Sequence, residues 1–125
     1  MLGRHQWDTA QMPVNVCDYH YRSFIRRVIP ECVRRQTAVI GMKSLAGGDS
    51  GRGRLPSQNV CTAEEARNFA LSQQIASLVV GIDSMEILRQ DLAMVRRFPS
   101  LNAAQLTQLP EKLSDADVSE CVGIR

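Results

Sequence analysis

The sequence predicts an α/β fold of three consecutive strand–helix units followed by a C-terminal helical tail. Two observations predict it: three short runs that are apolar or alternating, and after each run a segment whose apolar residues recur at helical spacing. The length of 125 residues fits one domain. Alternating strands and helices indicate a parallel sheet with right-handed crossovers, either open and doubly wound or an arc of a (β/α)8 barrel.

The first unit is predicted from residues 8 to 12 and 21 to 35. Apolar positions alternate in residues 8 to 12, which indicates a strand with one buried face, and Pro13 should end its regular pairing. Residues 21 to 35 form the helix, which Pro30 should kink or restart. Its apolar positions are Phe24, Ile25, Val28, Ile29, Cys32 and Val33.

The second unit begins with the continuous apolar run at residues 37 to 42, which is typical of a strand buried on both faces. A loop of about 19 residues follows at 43 to 61, and this length indicates either a functional loop or a missed element. Thr62 and Glu65 form a capping box, so a helix begins there. It should run to about residue 72, with Ala66, Phe69, Ala70 and Leu71 facing inward.

The third unit is predicted from residues 75 to 80, a buried strand ended by Gly81. Ser84 then caps a helix whose inward positions are Ile87, Leu88, Leu92 and Val95.

The three units occupy residues 1 to 98, and residues 99 to 125 form the helical tail. The tail contains a weak helix near residues 103 to 109 and an acidic segment at 114 to 121.

Composition and charge exclude several classes of protein. A net charge of +2 does not favour a nucleic-acid partner, and one Trp, two Tyr and three Phe are too few for a base-stacking platform. No run approaches the roughly 20 apolar residues of a membrane span. The first eight residues lack the apolar run of a secretory signal. We therefore expect a cytoplasmic protein with no nucleic-acid and no membrane partner.

The four cysteines are far apart in the sequence, without a C-x-x-C pair, which favours buried, inert thiols. Cys17 and His20 form a C-x-x-H, but no second ligand pair follows at a spacing typical of zinc. No metal site is predicted.

Both architectures bind ligands beyond the carboxyl ends of their strands. The segments to examine are therefore residues 15 to 20, 42 to 53 and 81 to 84. The second is rich in glycine and offers unhindered backbone N–H groups near Lys43, Arg52 and Arg54, which favours an anion-binding nest. The alternative is a mobile surface loop.

Two further clusters are open to more than one interpretation. Asp18, Tyr19, His20 and Tyr21 combine groups that can move protons, or they are capping and packing groups. The arginines of the first helix form a solvated face rather than a phosphate-binding surface, because acidic residues lie close to them in the sequence: Arg26, Arg27, Arg34 and Arg35.

Three segments together resemble the C-terminal part of the aldo/keto reductase family. They are W-D-T-A-Q-M-P-V-N at residues 7 to 15, A-V-I-G-M-K-S-L-A-G-G at 38 to 48, and V-V-G-I-D-S-M-E-I-L-R-Q-D-L-A at 79 to 93. The resemblance covers about residues 7 to 98. It implies a partial (β/α)8 TIM barrel, made of the last three βα units of that family's barrel.

The resemblance also implies a function and a cofactor. The family reduces aldehydes and ketones with hydride from a nicotinamide dinucleotide, so NADP(H) or NAD(H) is expected here. By resemblance Gln11 binds the nicotinamide carboxamide, and Met42 takes the place of an aromatic that stacks on the ring. The pyrophosphate would lie along Lys43, Ser44, Leu45, Gly47 and Gly48. The adenosine end would contact Gly81, Ile82, Asp83 and Ser84, with Gln90 and Asp91 at the adenine.

The sequence departs from the family at three points. Gly81 and Ile87 stand where many members have a lysine and an arginine that bind the 2′-phosphate, so the resemblance does not imply NADPH over NADH. Asp91 replaces a neutral asparagine. The family's catalytic Asp, Tyr, Lys and His come from the first four strands, which this sequence does not contain. It therefore predicts a fragment that is inactive alone and needs an N-terminal part for carbonyl substrate; the alternative is a self-associating nucleotide-binding or scaffolding module.

Overall fold

A computed structural model describes residues 4–20, 22–47 and 53–113 of the chain. Three strands, β1 (Thr9–Pro13), β2 (Ala38–Met42) and β3 (Ser77–Leu78), form one parallel sheet in the order β1-β2-β3. The prediction of an α/β fold with a parallel sheet is confirmed. The described residues do not form a closed barrel.

The sheet is covered on one face only. In the pairing of β1 with β2, Ala10 is opposite Val39 and Met12 is opposite Gly41, and Met12, Val39 and Gly41 on this face are buried. The other face, which we call the open face, carries Gln11 and Met42, of which Gln11 is exposed and Met42 half-buried. The prediction that β2 is buried on both faces is therefore wrong, because no helix among the described residues covers the open face.

The first helical segment is divided in two, as Pro30 predicted. Helix α1 (Phe24–Arg27) begins at Ser23, whose side chain accepts a hydrogen bond from Arg26 N. Helix α2 (Ile29–Arg34) restarts with Pro30 in its first turn, where a missing N–H costs no hydrogen bond. Ile29 and Cys32 are buried against the sheet, whereas Phe24 and Val33 are exposed.

The predicted loop at 43 to 61 contains a short helix, α3 (Arg54–Ser57), which the sequence analysis missed. Gly53 precedes it with φ +80 and ψ 152, a conformation that side chains rarely adopt, and Leu45 lies against the position of a Cβ there. Leu55 is fully buried and joins the core.

Helix α4 (Ala63–Leu71) begins at the predicted capping box. Glu65 N donates to Thr62 Oγ1 at 3.1 Å, and Thr62 N donates to Glu65 Oε2 at 2.8 Å. Ala66, Phe69 and Ala70 are fully buried, as predicted.

The third unit differs from its prediction in strand length and helix face. β3 has two residues rather than six. Helix α5 (Met85–Arg96) begins at the predicted cap, since Ser84 Oγ accepts from Ile87 N at 3.2 Å. Leu92 and Val95 are exposed, and Asp91 and Met94 are buried instead, because α5 meets α4 through an ion pair described below.

The predicted tail helix is present as α6 (Ala103–Glu111). Leu109 packs in a cluster with Phe69 and Leu55, so α6 contributes to the core of the molecule. The acidic segment at 114 to 121 lies outside the described residues.

The cysteines differ in state. Cys17 is disulfide-bonded, so the prediction of inert thiols is wrong for that residue. Cys32 and Cys61 are free and buried, and burial raises the pKa of both thiols.

Candidate functional site

The segments that follow β2 and β3 line one cleft, which we call the loop cleft. Its volume is about 220 Å³. It brings together six of the residues assigned by resemblance, although 34 positions separate the segments at their nearest: Lys43, Ser44, Leu45, Gly47, Gly81 and Asp83. Its remaining walls are Gly53, Arg67, Val79 and Val80.

The backbone of the loop after β2 is unusual. Lys43, Ala46 and Gly47 have φ of +54, +60 and +73, in the left-handed region. Asn15 Nδ2 donates to Lys43 O at 3.1 Å and so fixes the first of these turns to the end of β1. The N–H groups of Ser44, Leu45 and Gly47 make no hydrogen bond within the described part of the chain. Free backbone N–H groups in a turn that contains left-handed residues can bind an anion.

Gln11 and Met42 are in contact on the open face of the sheet. Gln11 Nε2 lies 3.3 Å from Met42 Sδ. Gln11 lies near the end of β1, and Met42 is the last residue of the adjacent strand β2. Met42 directly precedes Lys43, so this pair adjoins the loop cleft. A side-chain amide can both donate and accept a hydrogen bond, and a thioether makes polarisable apolar contacts. Together the two groups could bind a planar ring that carries an amide substituent.

A second cleft, which we call the helix cleft, lies between α4 and α5. Its volume is about 410 Å³. Gln90 and Asp91, the two residues assigned to the adenine, line it together with Ala63, Glu64, Arg67, Arg89, Ala93, Met94 and Arg97. Arg67 belongs to the walls of both clefts.

Arg67 and Asp91 form a buried ion pair between the two helices. Arg67 Nη1 lies 2.5 Å from Asp91 Oδ1, and the two side chains are 9% and 10% exposed. Despite this approach, Arg67 Nε and both Asp91 oxygens lack an aligned hydrogen bond within the described residues.

The sequence analysis missed Arg67, although a signal existed. Arg67 lies four residues after Ala63 and three before the buried Ala70, on the apolar side of α4. A charge there requires a partner, and Asp91 lies on the corresponding side of α5.

Two of the predicted site residues, Ile82 and Ser84, line neither cleft. Ile82 is exposed, and the Ser84 hydroxyl caps α5. Gly48 lies outside the described residues.

The Asp18 cluster has the capping arrangement. Its carboxylate accepts hydrogen bonds from Ser23 Oγ, Phe24 N and Ile25 N, and burial raises its pKa although these three bonds oppose the shift. His20 Nε2 lies 2.8 Å from Pro110 O. The interpretation of Asp18 as a capping group is confirmed, and Tyr21 lies outside the described residues.

The first helical segment carries exposed charges that pair with each other. Arg34 and Arg35 both contact Glu31, at 2.7 and 2.5 Å. They lower the pKa of Glu31 to about 2. These contacts agree with a solvated face.

The described residues contain neither a metal-binding cluster nor a membrane-spanning helix. No group of three His, Cys, Asp or Glu there could hold a metal ion. No helix there combines the length and apolar character needed to cross a bilayer.

No family model, curated protein or solved structure matches this chain. The two clefts and the residues that line them are therefore the features from which we infer a function.

Proposed function

We propose that this chain is the cofactor-binding part of an aldo/keto reductase-like enzyme. It would bind NADP(H) or NAD(H), and its sheet would be an arc of a (β/α)8 barrel. The observation that carries this proposal is the loop cleft, in which the segments after β2 and β3 face each other. Their sequential, parallel strand order is that of neighbouring strands in such a barrel.

The pyrophosphate fits the loop cleft. The free N–H groups of Ser44, Leu45 and Gly47 are donors for phosphate oxygens, and Lys43 adds a positive charge. Asp83 is the one acidic residue in this lining, so it would face the ribose hydroxyls rather than the phosphates.

The nicotinamide fits the open face beside Gln11 and Met42. The Gln11 amide can bind a carboxamide on two sides, and Met42 provides a soft apolar contact for the ring. The reduced ring supplies a hydride when bound. Gln11 and Met42 orient it, so that one ring face is against the protein and the other is open to a substrate.

Reduction of a carbonyl also needs a proton at the oxygen while hydride goes to the carbon. Neither Gln11 nor Met42 can supply it, since neither titrates. We therefore propose that the acid, the family's tyrosine with its Asp, Lys and His, comes from β/α units outside this sequence. The purified chain should bind cofactor and reduce nothing.

The test is titration of the full chain with NADPH and NADH, followed by calorimetry. We expect Lys43→Gln to weaken binding of both by roughly tenfold, because it removes a charge from the phosphates. Lys112→Gln is the matched control, since Lys112 is exposed at the end of α6 and distant from the cleft in sequence.

Two results would contradict the proposal. Binding of neither dinucleotide would remove the cofactor assignment. Oxidation of NADPH by the purified chain with a panel of aldehydes would show that the acid lies in this chain.

A second candidate function is self-association without catalysis. Met85, Leu92 and Val95 are 61%, 46% and 56% exposed at positions that share one face of α5, and β3 has no second partner strand among the described residues. An exposed apolar face and an open strand edge both favour pairing with a second copy. Light scattering should then give a dimer that Leu92→Gln dissociates and Val33→Gln, an exposed valine on α2, leaves intact. A monomeric native chain would exclude this candidate.

A further inference from the structure

A third cleft, which we call the basic cleft, lies where the segment after β1 meets α1. Its volume is about 410 Å³, which is in the range of small-molecule sites. It shares no residue with the loop cleft or the helix cleft, so a ligand in it is bound separately from the dinucleotide of the proposed function. Its lining consists of Tyr19, His20, Arg22, Ser23, Arg26 and Arg27.

The positive charges of the basic cleft are not balanced within the described part of the chain. Arg26 and Arg27 are exposed, and their side chains make no ion pair or hydrogen bond there. Arg22 adds a third guanidinium to the lining, and no acidic residue of the described ranges joins it. Asp18, the nearest acid in the sequence, accepts the three hydrogen bonds described above and does not line the cleft. The cleft is therefore complementary to an anion.

The structure divides the four arginines that the sequence assigns to one solvated face. Arg34 and Arg35 form ion pairs with a glutamate of α2, whereas Arg26 and Arg27 do not. The Arg26 guanidinium instead lies 5.3 Å from the centroid of the Tyr19 ring, which is a cation–π contact. Because this contact already restricts Arg26, less side-chain freedom is lost when it binds a ligand.

The number of donors indicates the class of anion. A guanidinium presents a fork of N–H groups that matches two oxygens of a carboxylate or a phosphate. A carboxylate has one charge and two oxygens, whereas a phosphate monoester has nearly two charges and three terminal oxygens. Several guanidiniums and an imidazole in one lining therefore match a phosphoryl group better than a carboxylate.

We propose that the basic cleft binds a dianionic phosphoryl group, with Arg26 and Arg27 as its cationic ligands and Arg22 beside them. The group belongs to a phosphate monoester or to free phosphate, and the volume of the cleft leaves room for the organic part of a small ester. His20 lines the same cleft, and its Nε2 lies 2.8 Å from Pro110 O, so the imidazole is anchored beside the ligand.

The two histidines of the chain allow the test to locate the ligand. His5 precedes β1 and His20 follows it, so they lie toward opposite ends of this strand. Proton NMR of the full chain follows both imidazole rings during addition of phenyl phosphate, inorganic phosphate or benzoate at constant ionic strength. His5→Gln assigns the two sets of signals.

We expect both phosphates to shift the His20 signals in a saturable manner, with a Kd of about 1 mM or lower. The His5 signals should not move. Benzoate carries the ring of phenyl phosphate but one charge, so it should bind at least roughly tenfold more weakly than phenyl phosphate.

Substitution of the two arginines should weaken this binding. Arg26→Gln and Arg27→Gln should each raise the Kd for phenyl phosphate by roughly tenfold, because each removes a charge-assisted contact. Arg96→Gln is the matched control, since Arg96 is exposed in the last turn of α5 and lines none of the three clefts. It lowers the net charge equally and should leave the Kd unchanged. Circular dichroism of all variants checks that the helices are retained.

Several results would overturn the inference. These are His20 signals that neither phosphate shifts, an equal response to benzoate or to sodium chloride, a Kd that Arg26→Gln and Arg27→Gln leave unchanged, and a loss that Arg96→Gln reproduces. Tighter binding of phenyl phosphate than of inorganic phosphate assigns the cleft to a monoester, and equal binding assigns it to the phosphoryl group alone; both support the inference. Failure of NADPH and NADH to bind would remove the proposed function and leave this inference standing, because the dinucleotide is assigned to the other two clefts.

Discussion

Two opposite charges, Arg67 and Asp91, determine how α4 and α5 meet. Periodicity alone assigns Leu92 and Val95 to the buried side of α5, yet both are exposed, and Asp91 is buried against Arg67. A helical wheel considers one helix at a time and cannot reveal this arrangement. Burial of either charge has a high free-energy cost unless the opposite charge is beside it. The polar partners must be identified together, from two segments that are far apart in sequence.

Gly53 offers a test of the loop cleft at the scale of one residue. Gly53→Ala should lower the free energy of unfolding by about 1–3 kcal/mol, since φ +80 is strained for alanine and its Cβ would meet Leu45. Urea denaturation measures the change. Gly81→Ala is the matched substitution, with nothing within 4 Å of the added Cβ, and it should cost far less. Equal costs would contradict the strain argument.

Cys61 gives a pH prediction. Burial raises the pKa of its thiol from 9.0 to about 11, so between these values the unfolded chain loses a proton that the folded chain keeps. Stability from this group is therefore complete below pH 9 and is lost as the pH rises through 11. The stability difference between the native chain and Cys61→Ala should shrink by an amount on the order of 2 kcal/mol from pH 8 to pH 11. A constant difference in urea denaturation would contradict it.

At the scale of elements, local signals placed the starts of α2, α4 and α5 correctly. Thr62, Ser84 and Pro30 act through neighbours within four residues, so the sequence contains the whole of their interaction. The length of β3 was predicted poorly. β3 has two paired residues because pairing depends on a neighbouring strand, and Val79 N keeps a hydrogen bond to Gly41 O of β2 at 2.9 Å beyond the end of β3. α3 was missed because glycine and proline in its surroundings indicate a loop.

The capping box of α4 can be tested by Thr62→Ala. We expect a loss of about 1 kcal/mol in the free energy of unfolding, because Glu65 N loses its acceptor. Thr107→Ala in α6 removes a hydroxyl that bonds Ala104 O and caps nothing, so its effect should be smaller. A larger loss for Thr107→Ala than for Thr62→Ala would be inconsistent with a dominant role of the cap.

For the molecule as a whole, the class of fold was predictable and the distribution of burial was not. Apolar runs such as residues 37 to 42 indicate strands with two covered faces. The chain covers one face with its helices and leaves Gln11 and Met42 on the other. An apolar run in the sequence predicts that its side chains are buried. It does not show whether this chain or another chain covers them. This is why the sequence predicted a β2 strand that is buried on both faces, whereas the structure buries one face.

Hydrogen exchange should follow this asymmetry. β2 is paired on both sides, whereas residues 79 to 84 lie beyond the end of β3 and are mostly exposed. Amides at 39 to 42 should exchange at least about 100-fold more slowly than those at 80 to 84 in native buffer. Mass spectrometry of peptides from the two segments measures the ratio. Equal protection would contradict this difference and would show that residues 80 to 84 are covered in solution.

Under the proposed function, the shared position of Arg67 links the two clefts that one dinucleotide would occupy. The Arg67 guanidinium forms part of the wall of both clefts. A ligand that moves this group toward one cleft therefore changes the shape of the other cleft. Binding of a phosphate in one cleft and binding of a base in the other would then change each other's affinity by the same factor, as thermodynamic linkage requires. A dinucleotide bridging both would gain an advantage that its separate halves, added together, do not possess.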